Sequence, residues 1–145
     1  MESLRLSRRV NQLEAFLRFL NAAQTEIRYS SIPVDQIIRK HGDRLKFLAG
    51  FFPLSAQESF EAQWRGCVGE HGKASGLNAK DIELIQDFGS GFGASDLEGQ
   101  LSHCTLYFDL LHVRLGDAKE EKEKKSKLYL MLGVFAGAAA ALLLC

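Results

Sequence analysis

An all-α bundle whose last helix runs on into a membrane is the fold class this sequence predicts, and three observations predict it. Apolar residues recur at steps of three and four in nearly every segment, with no strand-like alternation and no internal repeat. Glycines, prolines and capping residues cut the chain into six helices of plausible length. The final stretch, LYLMLGVFAGAAAALLLC from Leu128 to Cys145, carries no charge and follows directly on KEEKEKKSK.

The elements follow in order. Leu6, Val10, Leu13, Leu17, Leu20, Gln24 and Ile27 alternate steps of four and three, interrupted in character only by Gln24, which predicts one long amphipathic helix. Phe16 and Ala23 widen its stripe beyond a two-stranded seam, so it packs inside a bundle. Pro33, whose fixed φ suits the first helical position, opens a second helix after a cap at Ser31 or Ile32. Gly42 and Asp43 read as a stop and a new cap, with Leu45, Phe47, Leu48, Phe51 and Phe52 forming a short third helix ended by Pro53. Ser55 and Glu58 stand at capping-box spacing before a fourth helix that carries Phe60, Trp64 and Val68. Trp64 is its core anchor. GEHGKASGLN, from Gly69 to Asn78, is expected to be the longest loop. Asn78 caps a fifth helix with Ile82, Ile85 and Phe88 on its buried face. A sixth and longest begins at the Ser95–Glu98 capping box and buries Leu97, Leu101, Cys104, Phe108, Leu111, Leu115 and Ala118. Glu120–Lys124, Glu121–Lys125 and Glu123–Lys127 are i,i+4 pairs in the favourable order, so the charged run continues this helix into the apolar tail.

At about 1.5 Å per residue the tail spans about 27 Å, against a hydrocarbon core of about 30 Å. A core helix of a soluble domain would keep a polar face over that length. Lys124, Lys125 and Lys127 beside it place the preceding domain in the cytoplasm. The expected organisation is a cytoplasmic helical bundle over residues 1–127 and a transmembrane helix over residues 128–145.

Composition excludes several functions. Eighteen basic side chains against eighteen acidic ones give no net charge, and no face-sized basic block interleaved with aromatics is present, so nucleic acid is not a partner. Cys67, Cys104 and Cys145 are odd in number and far apart, which fits a reducing compartment. No secretory signal is expected at the front, although Arg5, Arg8 and Arg9 suit the cytoplasmic flank of a preceding span.

Candidate chemistry is thin. GSGFG, Gly89 to Gly93, has the composition of a phosphate-binding loop, but a helix precedes it and no Walker lysine follows. It reads as a tight connection between antiparallel helices, bracketed by Gly89 and Gly93. Cys67 and His71, with His103, Cys104 and His112, lack the close paired spacing of zinc sites, so no metal or cofactor is expected. Asp96 and Glu98 at a helix start are explained by the macrodipole. Asp96 and Gln100 lie one turn apart, and with capping assigned to Ser95 and Glu98 they are left to hold the turn or to meet a partner. In the tail, Gly133, Gly137 and Ala141 have the spacing that lets membrane helices approach closely.

Three segments together resemble the stage III sporulation protein AB family of endospore-forming bacteria: EIRYSSIPV from Glu26 to Val34, the hairpin DFGSGFGASDLEGQ with Phe88, Gly89, Gly93, Ser95, Asp96, Gly99 and Gln100, and the terminal KLYLMLGVFAG. Ile32 stands where the family usually has threonine, and Pro53 falls just after Phe51 and Phe52. The family begins with a membrane span, whereas this chain starts MESLRLSRR. The resemblance implies a membrane hairpin carrying a bundle that looks like the six-helix cytoplasmic domain of F-type platform proteins in type II secretion and type IV pilus machines. It further implies a non-enzymatic part of the complex linking mother cell and forespore, in the outer forespore membrane and facing the mother-cell cytoplasm. Its partners would be the complex's secretion-type ATPase, stage III sporulation protein AA, other membrane components of the channel and membrane lipid, with no small-molecule substrate. Two further readings compete: a tail-anchored interaction protein unrelated to sporulation, and a membrane-bound phosphotransfer domain using His41, His71, His103 or His112.

Overall fold

Helix α1, Glu2–Tyr29, buries the predicted stripe, with Leu13, Phe16, Leu20 and Ala23 fully inaccessible. A computed structural model describes residues 2–144, with side-chain surroundings from residue 4 onward; Met1 and Cys145, and so the third cysteine, lie outside the described residues. The interruption at Gln24 is a cross-helix contact, its Nε2 donating to Thr105 Oγ1 at 3.2 Å. The α1 helix ends where the N–H groups of Ser30 and Ser31 both reach the Glu26 carbonyl at 2.9 Å, with Ser31 at φ 54° in the left-handed region. Pro33 then stands one position before its predicted place, as N-cap of α2, Val34–His41. Gly42 closes α2 by donating its N–H to the Ile38 carbonyl at 2.7 Å.

The described residues hold five α-helices and no strand, one helix fewer than predicted. The expected third helix is a single 3-10 turn, Lys46–Leu48. Leu45, Phe47, Leu48 and Phe51 are all buried as expected, but burying four side chains within seven residues spreads them around the axis, and Gly50 takes a left-handed φ of 72°. Pro53 also keeps Phe52 out of the helical region.

The next helix, α3, covers Phe60–His71 and starts later than predicted, because Ser59 and not Ser55 is its cap, accepting from Ala62 N at 3.1 Å. Ser55 is tied instead into the preceding loop by Gln63, which accepts from Ser55 N and donates to Ser55 O, both at 3.0 Å. The longest connection is therefore the one leading into α3, and the glycine-rich segment shrinks to a turn because α3 continues to His71. Asn78 caps α4, Ala79–Gly91, in a reciprocal box with Asp81. The last helix, α5, runs unbroken from Leu97 to Leu144.

Helices α1 and α5 are antiparallel neighbours, as Arg9 meets Glu121, Glu14 meets Lys119 and Gln24 meets Thr105. An aromatic centre joins α1 to the α3–α4 pair: Phe16 lies edge-on to Phe88 at 5.5 Å, and Trp64 is 5.9 Å from Phe88. Trp64 is wholly buried, and its indole N–H is satisfied by the Ile85 carbonyl at 2.7 Å. Truncating it to alanine would cost about 3–5 kcal/mol.

Candidate functional site at the hairpin and the apolar end of the last helix

The α4–α5 turn is built from close contacts. Gly89 lies within α4 and not at the turn, and a Cβ there would run into the Trp64 indole, so this glycine is what lets α4 approach α3. Gly93 has φ 80°, and a Cβ on it would lie 2.8 Å from Val34 Cγ1. Phe88 packs on Phe92 at 4.8 Å and stacks on His103 at 5.0 Å, while His103 Nε2 contacts the Phe88 carbonyl at 2.7 Å. The turn is thus held from α2, α3 and α5 at once.

Asp96 caps α5: its Oδ1 accepts from Gly99 N at 2.9 Å and its carbonyl accepts from Gln100 N at 2.9 Å. The Gln100 side chain reaches back across the turn, Nε2 donating to the Ser95 carbonyl at 2.8 Å. The cap is therefore one residue later than the Ser95–Glu98 spacing suggests, and of the two roles left open for Asp96 and Gln100 both side chains take the one of holding the turn. Ser95, Asp96 and Glu98 remain exposed. Asp96 Oδ2 and Gln100 Oε1 enter no hydrogen bond among the described residues.

A buried charge cluster escaped the sequence reading. Asp81, fully inaccessible, accepts a bidentate pair from Arg9, with Nε–Oδ2 at 2.6 Å and Nη2–Oδ1 at 3.1 Å. It also accepts from Asn78 N at 3.1 Å and lies 3.7 Å from Arg114 Nε, while Arg9 Nη1 reaches Glu121 at 3.3 Å. Helices α1, α4 and α5 meet on this one carboxylate. Arg9, beside Arg5 and Arg8 in the basic cluster at the front of the chain, stands on the stripe Arg9, Leu13, Phe16, Leu20, at steps of four, three and four, and that register is the sequence signal of its burial. Fully buried and held by Arg9 from α1 and by the backbone N–H of Asn78, Asp81 locks helices together.

The thiols and histidines do not converge. Among the described residues no three of His, Cys, Asp and Glu are placed to hold a metal. Cys104 is inside the core, where burial pushes its thiol up to about 11. Burial, helped by Glu70, also raises Cys67, whose Sγ lies 3.3 Å from the Ala49 carbonyl. His41 contacts Glu26 at 3.3 Å, His71 lies 3.8 Å from Glu70, and His112 is exposed on α5, stacked on Phe108 at 6.0 Å.

The apolar end of α5 touches nothing. None of its membrane-length window is buried, and a Cβ on Gly133 or Gly137 would meet no atom within 4 Å. Ala141 is exposed beside them. Ion pairs Glu120–Lys124 at 3.1 Å and Glu123–Lys127 at 3.3 Å carry the helix through the charged run.

The sequence model described as stage III sporulation protein AB matches residues 1–145, the whole chain. This chain belongs to the stage III sporulation protein AB family. Membership gives it a role in sporulation, and the apolar end of α5 is a possible membrane anchor for that role. No curated protein and no solved structure matches it. Two of the segments that carried the family resemblance, far apart in sequence, touch in the fold where Val34 closes over Gly93. The third is the start of the apolar stretch.

Proposed function

We propose that this chain is a non-enzymatic scaffold of the secretion-like channel complex between mother cell and forespore, anchored by α5 in the outer forespore membrane. Its bundle faces the mother-cell cytoplasm and docks the complex's secretion-type ATPase, stage III sporulation protein AA, at the end remote from the membrane. The observation that carries this reading is the placement of the hairpin. From Leu97 to Leu128 is thirty-one helical residues, so the hairpin stands about 46 Å from the first apolar turn, beyond reach of the bilayer and open to a soluble partner. Exposed Tyr29 and Leu97 lie at that same end, 78% and 45% accessible, beside the polar groups of Asp96 and Gln100.

The test is co-purification of the detergent-solubilised full chain with the ATPase. Retention that is lost when the hairpin surface is altered, with the fold intact, supports docking. No retention at any detergent or nucleotide condition overturns it.

A further inference from the structure

A cleft of about 570 Å³ opens on the outer face of α1, between that helix and the segment following α2. Its walls are cationic. Gln12, only 5% exposed, donates Nε2 to the Arg44 carbonyl at 3.2 Å and accepts from Lys46 N at 2.9 Å, which pins Arg44 and Lys46 against α1. Across the cleft stand Arg8, steadied by donation to the Ala74 carbonyl at 3.3 Å, and Arg18, whose nearest carboxylate is Glu14 at 3.9 Å. Arg44 and Lys46 have no ion-pair partner among the described residues, and Asp43 is the one acid in the lining. In a chain with no net charge, four cations against one acid around a single cleft is a marked segregation.

The occupant must be anionic, and its class follows from position. Arg8 is next to Arg9, which meets Glu121; Leu128 begins the apolar stretch seven residues further along α5, about 10 Å away, and Arg18 is ten residues further from the membrane on α1, about another 15 Å. A headgroup layer extends only about 5–8 Å beyond the hydrocarbon core. The cleft therefore begins where that layer ends. A small metabolite is equally ill-suited, because the floor is Ala15 and a glutamine amide already committed to backbone. The distance from Arg8 to Arg18, about 15 Å, matches four or five residues of extended chain.

We propose that this cleft receives an acidic segment of a partner protein, its carboxylates pairing with Arg8, Arg18, Arg44 and Lys46. Exposed ion pairs are individually weak, so affinity comes from several formed together and falls as salt screens them.

The proposal is tested on the full chain in nanodiscs of neutral phosphatidylcholine, by fluorescence anisotropy with labelled hexaglutamate and hexaglutamine peptides and no ATPase present, so that it stands or falls apart from the hairpin reading. Hexaglutamate binds, hexaglutamine does not, and raising salt weakens the binding. The double variant Arg18→Glu, Arg44→Glu, at two exposed positions, loses about tenfold in affinity, with an unchanged urea midpoint, while Lys124→Glu, Lys127→Glu leaves it as it was. Equal binding by the cleft variant, or by hexaglutamine, overturns the proposal. So does a failure of hexaglutamate to bind the wild-type chain in neutral discs at low salt.

Discussion

Asp96 is exposed, yet its carboxylate is already committed to the first turn of α5, and that changes what a substitution there reports. Asp96→Ala removes the cap and should cost about 1 kcal/mol, a fall in thermal midpoint of about 4 °C, readable by circular dichroism. Asp96→Ser keeps an acceptor for Gly99 N while removing the charge, so it should leave the midpoint nearly unchanged and, if the hairpin docks the ATPase, weaken retention on its own. Normal retention and normal sporulation with Asp96→Ser would assign this residue to the fold alone. Glu26 gives a pH signature at the other side of the same end. Hydrogen bonds from Lys40 at 2.9 Å and His41 at 3.3 Å hold its carboxyl below the usual value of 4.5. A carboxylate whose folded pKa is depressed contributes stability that is fully present above its unfolded pKa and is lost as pH falls through the folded one. Urea midpoints of wild type should therefore drop more steeply than those of Glu26→Gln below about pH 4.5, and the two profiles should run parallel from pH 6 upward. Identical slopes in acid would remove Glu26 from the account.

Among elements, the Arg9–Asp81 pair decides how α1, α4 and α5 are held in register. Asp81→Asn leaves buried Arg9 with only the half-exposed Glu121 as counter-charge and should cost about 3 kcal/mol, whereas Arg9→Met with Asp81→Leu together removes both desolvation costs and should recover most of that loss. Urea unfolding of the two variants checks it, and equal destabilisation would mean that the charges themselves hold the helices. The comparison with the sequence turns on the same kind of residue. Long stripes were legible, because α1, α4 and α5 bury enough periodic apolar surface to impose their own register, and Trp64 and Phe88 fall where that register puts them; Leu97, expected at the head of the buried α5 stripe, is instead 45% exposed because it stands in the first turn, beyond the end of the bundle's core. Cap choice was not: Ser55 and Ser59, or Ser95 and Asp96, are chemically equivalent caps, and tertiary burial of Phe60 and the pull of Gln100 across the turn select the later one in each case. The six-helix count failed at Leu45–Phe52 because apolar content alone does not separate a helix from a turn whose Leu45, Phe47, Leu48 and Phe51 are drawn inward from around its axis. The buried pairing of Arg9 was not legible, since its charge masks its place in the α1 register.

At the scale of the whole molecule, α5 is one helix passing through two environments, and the change is abrupt. Ala118 is its last fully buried residue, and from Leu128 to Leu144 every side chain is exposed. Nothing in the bundle covers that apolar length, and a bilayer that received it would contribute about 25 cal/mol for each Å² removed from water. The phase of the helix adds a direction. Gly133 follows Leu115 by eighteen residues, five whole turns, so the small-residue face of the apolar stretch lies on the same side as the stripe packed on α1. Because the two halves share a backbone but no contacts, they should be separable. The full chain should stay in the membrane pellet through a carbonate wash. A chain ended after Lys127 should appear in the supernatant, folded, with a urea midpoint within about 0.5 kcal/mol of the full chain in detergent, since only exposed residues have been removed. Release of the intact chain by carbonate would show that α5 does not span the bilayer, and an unfolded truncated chain would show that the bundle depends on the membrane helix for more than its anchorage.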